Sequence, residues 1–201
     1  MDSFLRIYLP IFIILFIVLV FIVPSVRVYK KTGINPFRFV TNQDKAHDYV
    51  GASMKIFILL ILIVVVIYSF FHSVYNFLAP FGYLETRTLK LIGLIAGHIS
   101  LIGIMIAQSQ MRLSWRIGID YENKTALVTG GLFKISRNPI YLFLITSLTG
   151  LFLIMPNAIT FAVLFAAYLI LQVTMRLEED FLEKQHGAVY QQYKSKVRRL
   201  L

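Results

Sequence analysis

The chain has 201 residues, of which 58% are hydrophobic, and it carries a formal net charge of +10 and no cysteine. Its mean hydropathy of +0.73 lies far above that of a soluble domain, and the missing cysteines exclude disulfides and thiolate metal sites. The basic excess does not indicate nucleic-acid binding, because too little chain lies outside the apolar runs to fold a separate domain. The composition predicts an integral membrane protein.

Five apolar runs follow in chain order, and each approaches the length of about 20 residues that a membrane-spanning helix requires. They are Ile7–Val26, Ile56–Ala79, Leu91–Ala107, Ile140–Met155 and Ala158–Met175. The first is too long for a signal peptide and lacks a small-residue cleavage site, so it is predicted to be retained. The sequence thus predicts an all-α polytopic membrane protein with five transmembrane helices in one domain, residues 1–201, with three spans in residues 1–107.

Within the third run, Gly93 and Gly97 are spaced to let helix backbones approach closely in lipid, and we assign them to packing. They could pack within one chain or between two, so the sequence leaves the oligomeric state open. His98, in the same run, is a functional candidate because ionisable residues are rare in membranes. A neutral histidine hydrogen-bonded to a neighbouring helix is the commoner case, and the spans contain no ligand spacing that predicts a metal site.

The basic residues predict the orientation, because they are enriched in cytoplasmic loops. The segments 27–55, 108–139 and 176–201 carry six, five and six of them, whereas the opposite side has only Arg6, Arg87 and Lys90. The N-terminus is therefore predicted outside and the C-terminus in the cytoplasm. The loop from Lys31 to Val50, with Asn35-Pro-Phe-Arg-Phe39 and Asp44-Lys-Ala-His-Asp48, is predicted to pack on lipid headgroups.

The last two runs are separated only by Pro156-Asn157, which predicts an antiparallel helical hairpin. Two polar clusters, in residues 131–141 and 176–183, fall at its open end. Asn138 and Pro139 have a structural explanation as the N-cap and first residue of the fourth span. Adjacent Glu178 and Glu179 are harder to explain, since the end of a helix and an anionic leaflet both disfavour them.

Beyond the glutamates, apolar residues recur at helical spacing among polar ones, which predicts an amphipathic interfacial tail helix. The residues that carry this pattern are Phe181, Leu182, Val189, Tyr190, Tyr193, Val197 and Leu200. Its role is either to anchor the chain or to cover a cofactor pocket from the cytosol. Trp115-Arg116, in the preceding loop, is expected to contribute to the same open end.

Four short motifs in residues 113–197 carry a family resemblance. They are Leu127-Val-Thr-Gly-Gly-Leu-Phe133, Ser136-Arg-Asn-Pro-Ile-Tyr141, Glu178-Glu179 and Gly187-Ala-Val-Tyr-Gln-Gln-Tyr193. In this order and spacing they resemble the isoprenylcysteine carboxyl methyltransferase family of bacterial or archaeal type, and the related phospholipid N-methyltransferases. Two departures are visible: Asn138 stands where the best-known members have histidine, and the tail lacks the family's final proline.

The resemblance implies a catalytic region in residues 108–201 and a cytosol-facing pocket for S-adenosylmethionine. As catalytic residues it implies Arg137, Glu178 and Glu179, with Arg137 and Trp115 toward the acceptor and no metal. The implied cofactor-binding residues are Leu127, Val128, Gly131, Leu132, Phe133, Asn138, Pro139, Tyr141, Glu178, Glu179, Tyr190 and Tyr193. Asn138 either binds or only caps its helix.

The expected function is methyl transfer from S-adenosylmethionine to a lipophilic acceptor, such as a prenylcysteine-like carboxylate, in the inner membrane of a prokaryote. The expected partners are the bilayer and an amphiphilic substrate, without nucleic acid. Two alternatives stay open. One is an NADPH-dependent membrane reductase of the sterol reductase type, against which Pro139 and Phe143-Leu144 count. The other is a non-catalytic membrane protein that retains the fold.

Overall fold

The computed structural model describes residues 1–36, 45–118, 123 and 125–201, without the side chains of 45–47. No β-strand occurs in these ranges, and short 3-10 turns join their helices. The helices are α1 Asp2–Ile17, α2 Val23–Thr32, α3 Lys45–Phe70, α4 His72–Tyr75, α5 Arg87–Met111, α6 Pro139–Ile154, α7 Ala158–His186 and α8 Ala188–Lys196. Residues 37–44 of the predicted headgroup-packing loop lie outside the described residues.

Four helical stretches are long and apolar enough to cross a membrane: Asp2–Thr32, Asp48–Phe70, Arg87–Ser114 and Ala158–His186. The fifth predicted span, α6, has 16 residues. At 1.5 Å per residue it is about 24 Å long, somewhat less than the ~30 Å hydrocarbon core. The predicted fold class, an all-α polytopic membrane protein, is confirmed.

The first stretch is continuous but contains a π-helical turn at Val18–Ile22, which the sequence analysis did not predict. Pro24 explains it, because proline has no N–H to donate to the carbonyl four residues earlier, on Val20. The buried Gln108 of α5 takes over this role, and its Nε2 donates to the Val20 carbonyl oxygen at 2.8 Å. The π-helical turn of the first stretch is thus hydrogen-bonded to the C-terminal part of α5.

The second predicted run, Ile56–Ala79, is wrong at its C-terminal end, because the helix stops at Phe70. Phe71 adopts a non-helical conformation with φ −127° and ψ 62°, and α4 and 3-10 turns follow. The chain turns here toward the loop of the hairpin, where Ala158 N–H donates to the Ala79 carbonyl and Phe81 N–H to that of Pro156. These long-range bonds replace the extra helical turns that hydrophobicity predicted.

Helices α5 and α6 pack closely through glycines. A methyl group on Gly93 would lie 2.4 Å from the Gly150 carbonyl oxygen, and one on Gly150 would lie 2.7 Å from that of Gly93. Gly97 instead faces the Phe12 ring of α1, at 3.4 Å from a built Cβ. Both glycines predicted to serve in packing therefore do so within the chain.

His98 of α5 is hydrogen-bonded on both ring nitrogens. Nδ1 lies 2.7 Å from the Leu94 carbonyl oxygen, and Nε2 lies 2.6 Å from the Tyr8 hydroxyl of α1. A carbonyl can only accept, so Nδ1 carries a proton, and in a neutral ring Nε2 accepts from the tyrosine. The structural explanation, a histidine bonded to a neighbouring helix, is confirmed.

The hairpin has a short turn and unequal arms. Asn157 caps α7, and its Oδ1 accepts from the backbone N–H groups of Ile159 and Thr160 at 3.0 Å. α7 then runs for 29 residues and carries both glutamates within its length, which removes the helix-end objection to them. The tail is not one continuous amphipathic helix: Gly187, with φ +54°, separates α7 from α8.

Candidate active site

The approach to the open end of the hairpin is an extended segment followed by a 3-10 turn, Gly131–Lys134. Gly131 has φ +60°, and a Cβ there would lie 2.3 Å from the amide nitrogen of Gln110. The same Gln110 accepts from the Leu132 N–H at 2.9 Å. Glycine is therefore required at position 131, because φ is positive and because a Cβ would collide with Gln110. The bond from Leu132 to Gln110 fixes the turn to the end of α5.

Glu179, with 2% of its surface exposed, is the centre of a charge cluster at the open end. Arg137 Nη2 donates to its two carboxylate oxygens at 3.0 and 3.2 Å, and Arg137 Nε donates to Oε1 at 3.1 Å. Arg199, at the C-terminal end, adds bonds of 3.1 Å from Nε and 2.8 Å from Nη2. One buried carboxylate thus accepts charge-assisted hydrogen bonds from two guanidinium groups, each through two nitrogens, which is the geometry in which such pairs are strongest.

Asn138 joins the same cluster rather than capping its helix. It occupies the N-cap position of α6 with Pro139 next, as predicted, but its side chain makes no capping bond. Its Nδ2 donates instead to Glu179 Oε1 at 3.1 Å and to the Arg199 carbonyl at 3.2 Å. The capping interpretation of this side chain is therefore wrong, because the amide group is held by the Glu179 carboxylate and the tail instead.

The C-terminal residues close over the cluster. Arg137 N–H donates to the Arg198 carbonyl at 2.9 Å, and Ser136 Oγ donates to that of Arg199 at 3.1 Å. Arg137 Nη1 donates to the carbonyls of Lys194 at 3.1 Å and Val197 at 2.5 Å. Each of its guanidinium nitrogens thus already donates to a protein oxygen. Residues after α8 cover the open end as an extended segment, paired with the segment before α6.

Glu178 has a different environment. Its Oε1 accepts a hydrogen bond from the Tyr141 hydroxyl of α6, and the side chain is partly buried. Among the residues that the structure describes, no other group donates to this carboxylate. The Glu178 carboxylate can therefore accept further hydrogen bonds, whereas both oxygens of Glu179 already accept bonds from Arg137 and Arg199.

Two tyrosines of α8 pack beneath the cluster. Tyr190 is almost fully buried, and its ring stacks edge-on against Tyr193 with centroids 6.1 Å apart. Burial raises the pKa of Tyr193 to about 12. Its phenol therefore stays neutral and donates to the Phe133 carbonyl at 2.6 Å, which ties α8 to the Gly131–Lys134 turn. The hydrogen bonds from Arg199 to Glu179 also raise the pKa of this guanidinium.

The remaining predicted residues lie in two places: before the Gly131–Lys134 turn, and between α2 and the end of α5. Leu127 and Val128 lie in the extended segment before the turn, and their backbone groups bond to no residue that the structure describes. Trp115 is buried, with 3% of its surface exposed, against α2 and the end of α5. It lies beside Arg112 and is not among the contacts of Glu179. Arg199 was not predicted, and Ser136 was part of a predicted motif without an assigned role, because no local pattern indicated where the tail would fold.

The arrangement suits a cationic, nucleotide-like ligand. A carboxylate with unused acceptor capacity can bind an ammonium group, and free backbone N–H and C=O groups can bind a base edge. Tyrosine faces attract a sulfonium or ammonium charge. Glu178, Tyr141 and the 127–128 backbone are therefore the residues that could hold a ligand of this kind.

The comparisons with known proteins agree with this chemistry. The family model described as phospholipid methyltransferase matches residues 90–189, from the start of α5 into α8. No curated protein and no solved structure matches the chain with significance. The matched segment contains all the predicted cofactor-binding residues except Tyr190 and Tyr193, and it ends before the Arg199 that pairs with Glu179.

Proposed function

We propose that this chain, which belongs to the phospholipid methyltransferase family through residues 90–189, transfers a methyl group from S-adenosylmethionine to a lipophilic acceptor in the membrane. The family makes it a membrane methyltransferase of the lipid-methylating kind. The methyl donor, the acceptor and the cytoplasmic location of the site belong to the proposal. As acceptor we propose an amphiphile with a nucleophilic headgroup, such as a phospholipid amine or a prenylcysteine-like carboxylate.

One observation carries the proposal: the adjacent glutamates have separate environments at the open end of one membrane hairpin. Glu179 is saturated by Arg137, Arg199 and Asn138. Glu178 accepts a hydrogen bond only from Tyr141 among the described residues and keeps an oxygen available for a ligand. A structural hairpin has no need for a second, unneutralised carboxylate at this depth, where it is costly.

The residues divide the work of positioning and binding. When bound, S-adenosylmethionine supplies an activated methyl group for in-line displacement. The protein then mainly has to orient the reactants and exclude water. Glu178 would bind the amino group of the cofactor, with the Tyr141 hydroxyl holding the carboxylate in place. The tail over Glu179 would keep bulk water from the open end.

Arg137 takes a positioning role in this proposal. The sequence had suggested that it clamps an acceptor carboxylate, but its nitrogens already donate to Glu179 and to two tail carbonyls. Holding an acceptor would require it to exchange those bonds. We therefore propose that Arg137 fixes the tail and Glu179, and that the acceptor is positioned by other groups.

The test is binding of labelled S-adenosylmethionine to purified protein in detergent. Glu178→Gln removes the charge but preserves the shape and one acceptor, so the fold should persist. Losing a charge-assisted hydrogen bond of about 1.5–3 kcal/mol weakens binding roughly 10- to 100-fold. Glu183→Gln is the matched control, because Glu183 lies on the same helix and pairs only with the tail side chains Lys194 and Gln191.

The outcomes separate the alternatives. Weaker binding for Glu178→Gln and wild-type binding for Glu183→Gln support the proposal. Equal binding by wild type and Glu178→Gln removes Glu178 from the site. Thermal stabilisation of the wild type by NADPH, without any by S-adenosylmethionine, would instead favour the reductase. A wild type that binds neither compound would favour a non-catalytic protein.

A further inference from the structure

A second polar concavity lies on the other side of α5 from the hairpin. It is a half-open cavity of about 60 Å³ between α2 and the C-terminal end of α5. Its polar lining includes Arg27, Gln108, Arg112 and Trp115. Glu178, Glu179 and Arg137 do not line it, so it is separate from the candidate active site.

The cavity is cationic, and its charges are not neutralised. Neither Arg27 nor Arg112 makes a hydrogen bond or an ion pair with any residue that the structure describes. Trp115 lines the same cavity, and its side chain is 3% exposed. Two guanidinium groups and the indole of Trp115 therefore line a cavity to which the described residues contribute no carboxylate. This set of donors suits an oxyanion.

The backbone around the cavity is held in unusual conformations. Arg112 has φ +52° and ψ −119°, a region that side chains other than glycine rarely adopt. Opposite it, Pro24 and the π-helical turn widen the first helix, and Gln108 is fixed by its bond to Val20. Strained backbone and π-helical turns are concentrated at functional sites. Their meeting at one cavity argues for a built site rather than a packing defect.

The remaining lining indicates what carries the anion. Apolar side chains of Leu19, Val23 and Met105 border the same cavity, and Val23 and Met105 are 40% and 42% exposed on the outer surface of the helices. The cavity thus lies where two candidate membrane spans end, with apolar surface on one side and arginines on the other. That is the depth at which a lipid headgroup meets its acyl chains.

We propose that this cavity binds a phosphate group, carried by an anionic phospholipid whose acyl chains lie along α1 and α5. Arg27 and Arg112 would bind the phosphate oxygens, and the Trp115 indole would donate a further hydrogen bond. Free phosphate offers the same chemistry without the acyl chains. The proposal does not depend on methyl transfer.

Trp115 makes the site directly observable, because it is the single tryptophan of the chain. Its fluorescence is followed in an uncharged detergent during titration with dioctanoyl phosphatidic acid. Dioctanoylglycerol, which differs only in lacking the phosphate, and inorganic phosphate are titrated in parallel. We expect a saturable change with phosphatidic acid, none with dioctanoylglycerol, and a change at higher concentration with inorganic phosphate. A response to inorganic phosphate equal to that for the lipid would keep the phosphate site but assign it to a soluble anion.

Variants test the donors. Arg27→Ala and Arg112→Gly should each weaken the titration at least roughly tenfold, as expected for a lost charge-assisted hydrogen bond. Glycine at 112 suits the observed φ, so this variant removes the guanidinium without adding strain. Arg87→Ala, at the opposite end of α5, is the matched loss of one charge and should bind as the wild type does. Equal responses to phosphatidic acid and dioctanoylglycerol, or wild-type affinity in Arg112→Gly, would overturn the proposal.

Discussion

At the level of single residues, the paired glutamates are one motif in sequence but two environments in structure. Successive residues of a helix point about 100° apart, so neighbours cannot share a partner on one face. Glu179 points to Arg137 and Arg199, whereas Glu178 points to the Tyr141 hydroxyl of α6. The first carboxylate binds the tail to the hairpin, and the second is left for a ligand.

This difference predicts that two matched substitutions destabilise the protein to very different extents. Glu179→Gln leaves two guanidinium groups without their countercharge, and breaking a buried pair in this way costs about 3–5 kcal/mol. Glu178→Gln keeps a neutral acceptor for Tyr141 and should change the free energy of unfolding much less. The free energies of unfolding of the two variants and the wild type in detergent check this. Equal destabilisation by both would show that Glu179 is not the structural centre of the cluster.

The residue types of the site could be predicted from the sequence, but their partners could not. Glu178 and Glu179 stood out because adjacent carboxylates are disfavoured at the predicted cytoplasmic end of a span, and Arg137 stood out through the motif that precedes α6. Arg199 did not, because it lies in a basic tail where one arginine resembles another. Its pairing with Glu179 depends on Gly187 turning the chain back after α7, which helical periodicity does not reveal. For the same reason, the sequence left open whether Asn138 binds or only caps its helix, whereas in the structure its amide donates to a distant carboxylate.

At the level of elements, the contact between α5 and α6 positions the open end, and its glycines make a matched test. Alanine at Gly93 would place Cβ 2.4 Å from the Gly150 carbonyl, which neither backbone can avoid without a shift. We expect a loss of about 1–3 kcal/mol in stability, as for an overpacked core. Alanine at Gly97 would meet the Phe12 ring at 3.4 Å, an ordinary contact, and should be nearly neutral. Thermal unfolding in detergent measures both, and equal melting temperatures would contradict this packing.

The elements that hydropathy predicted well are those whose ends coincide with a change in composition. α6 begins at Pro139 and ends one residue before the predicted limit, and α7 begins at Ala158 as predicted. The second span ended early because its helix breaks at Phe71 while the sequence stays apolar. The break depends on long-range backbone bonds to the hairpin turn. Pro24 was visible in the sequence, but its consequence depends on Gln108, which lies 84 residues later in the printed sequence.

At the level of the whole molecule, the helix ends divide into two groups. At one end Lys90 Nζ pairs with Asp2 at 2.6 Å, and Pro80 pairs with Asn157 in an isolated bridge. At the other end lie the bond from Gln108 to Val20 and the Glu179 cluster. The first end has three basic residues, and one of them, Lys90, is buried and paired with Asp2. Only two basic residues at that end therefore lack this countercharge. The charge asymmetry that predicts orientation is therefore sharper in the folded chain than in the sequence.

The predicted orientation can be tested cleanly, because the chain has no cysteine of its own. Ser3 and Ser73 are exposed at the end predicted to lie outside, and Ser195 is exposed near the candidate site. In intact bacterial cells, a membrane-impermeant maleimide should label Ser3→Cys and Ser73→Cys. It should reach Ser195→Cys only after permeabilisation. The physical reason for this expectation is the excess of lysine and arginine at the second end, which favours the cytoplasmic side. Labelling of Ser195→Cys in intact cells would place Glu178 on the face away from the cytosolic cofactor, and so contradict both the orientation and the proposed source of the methyl group.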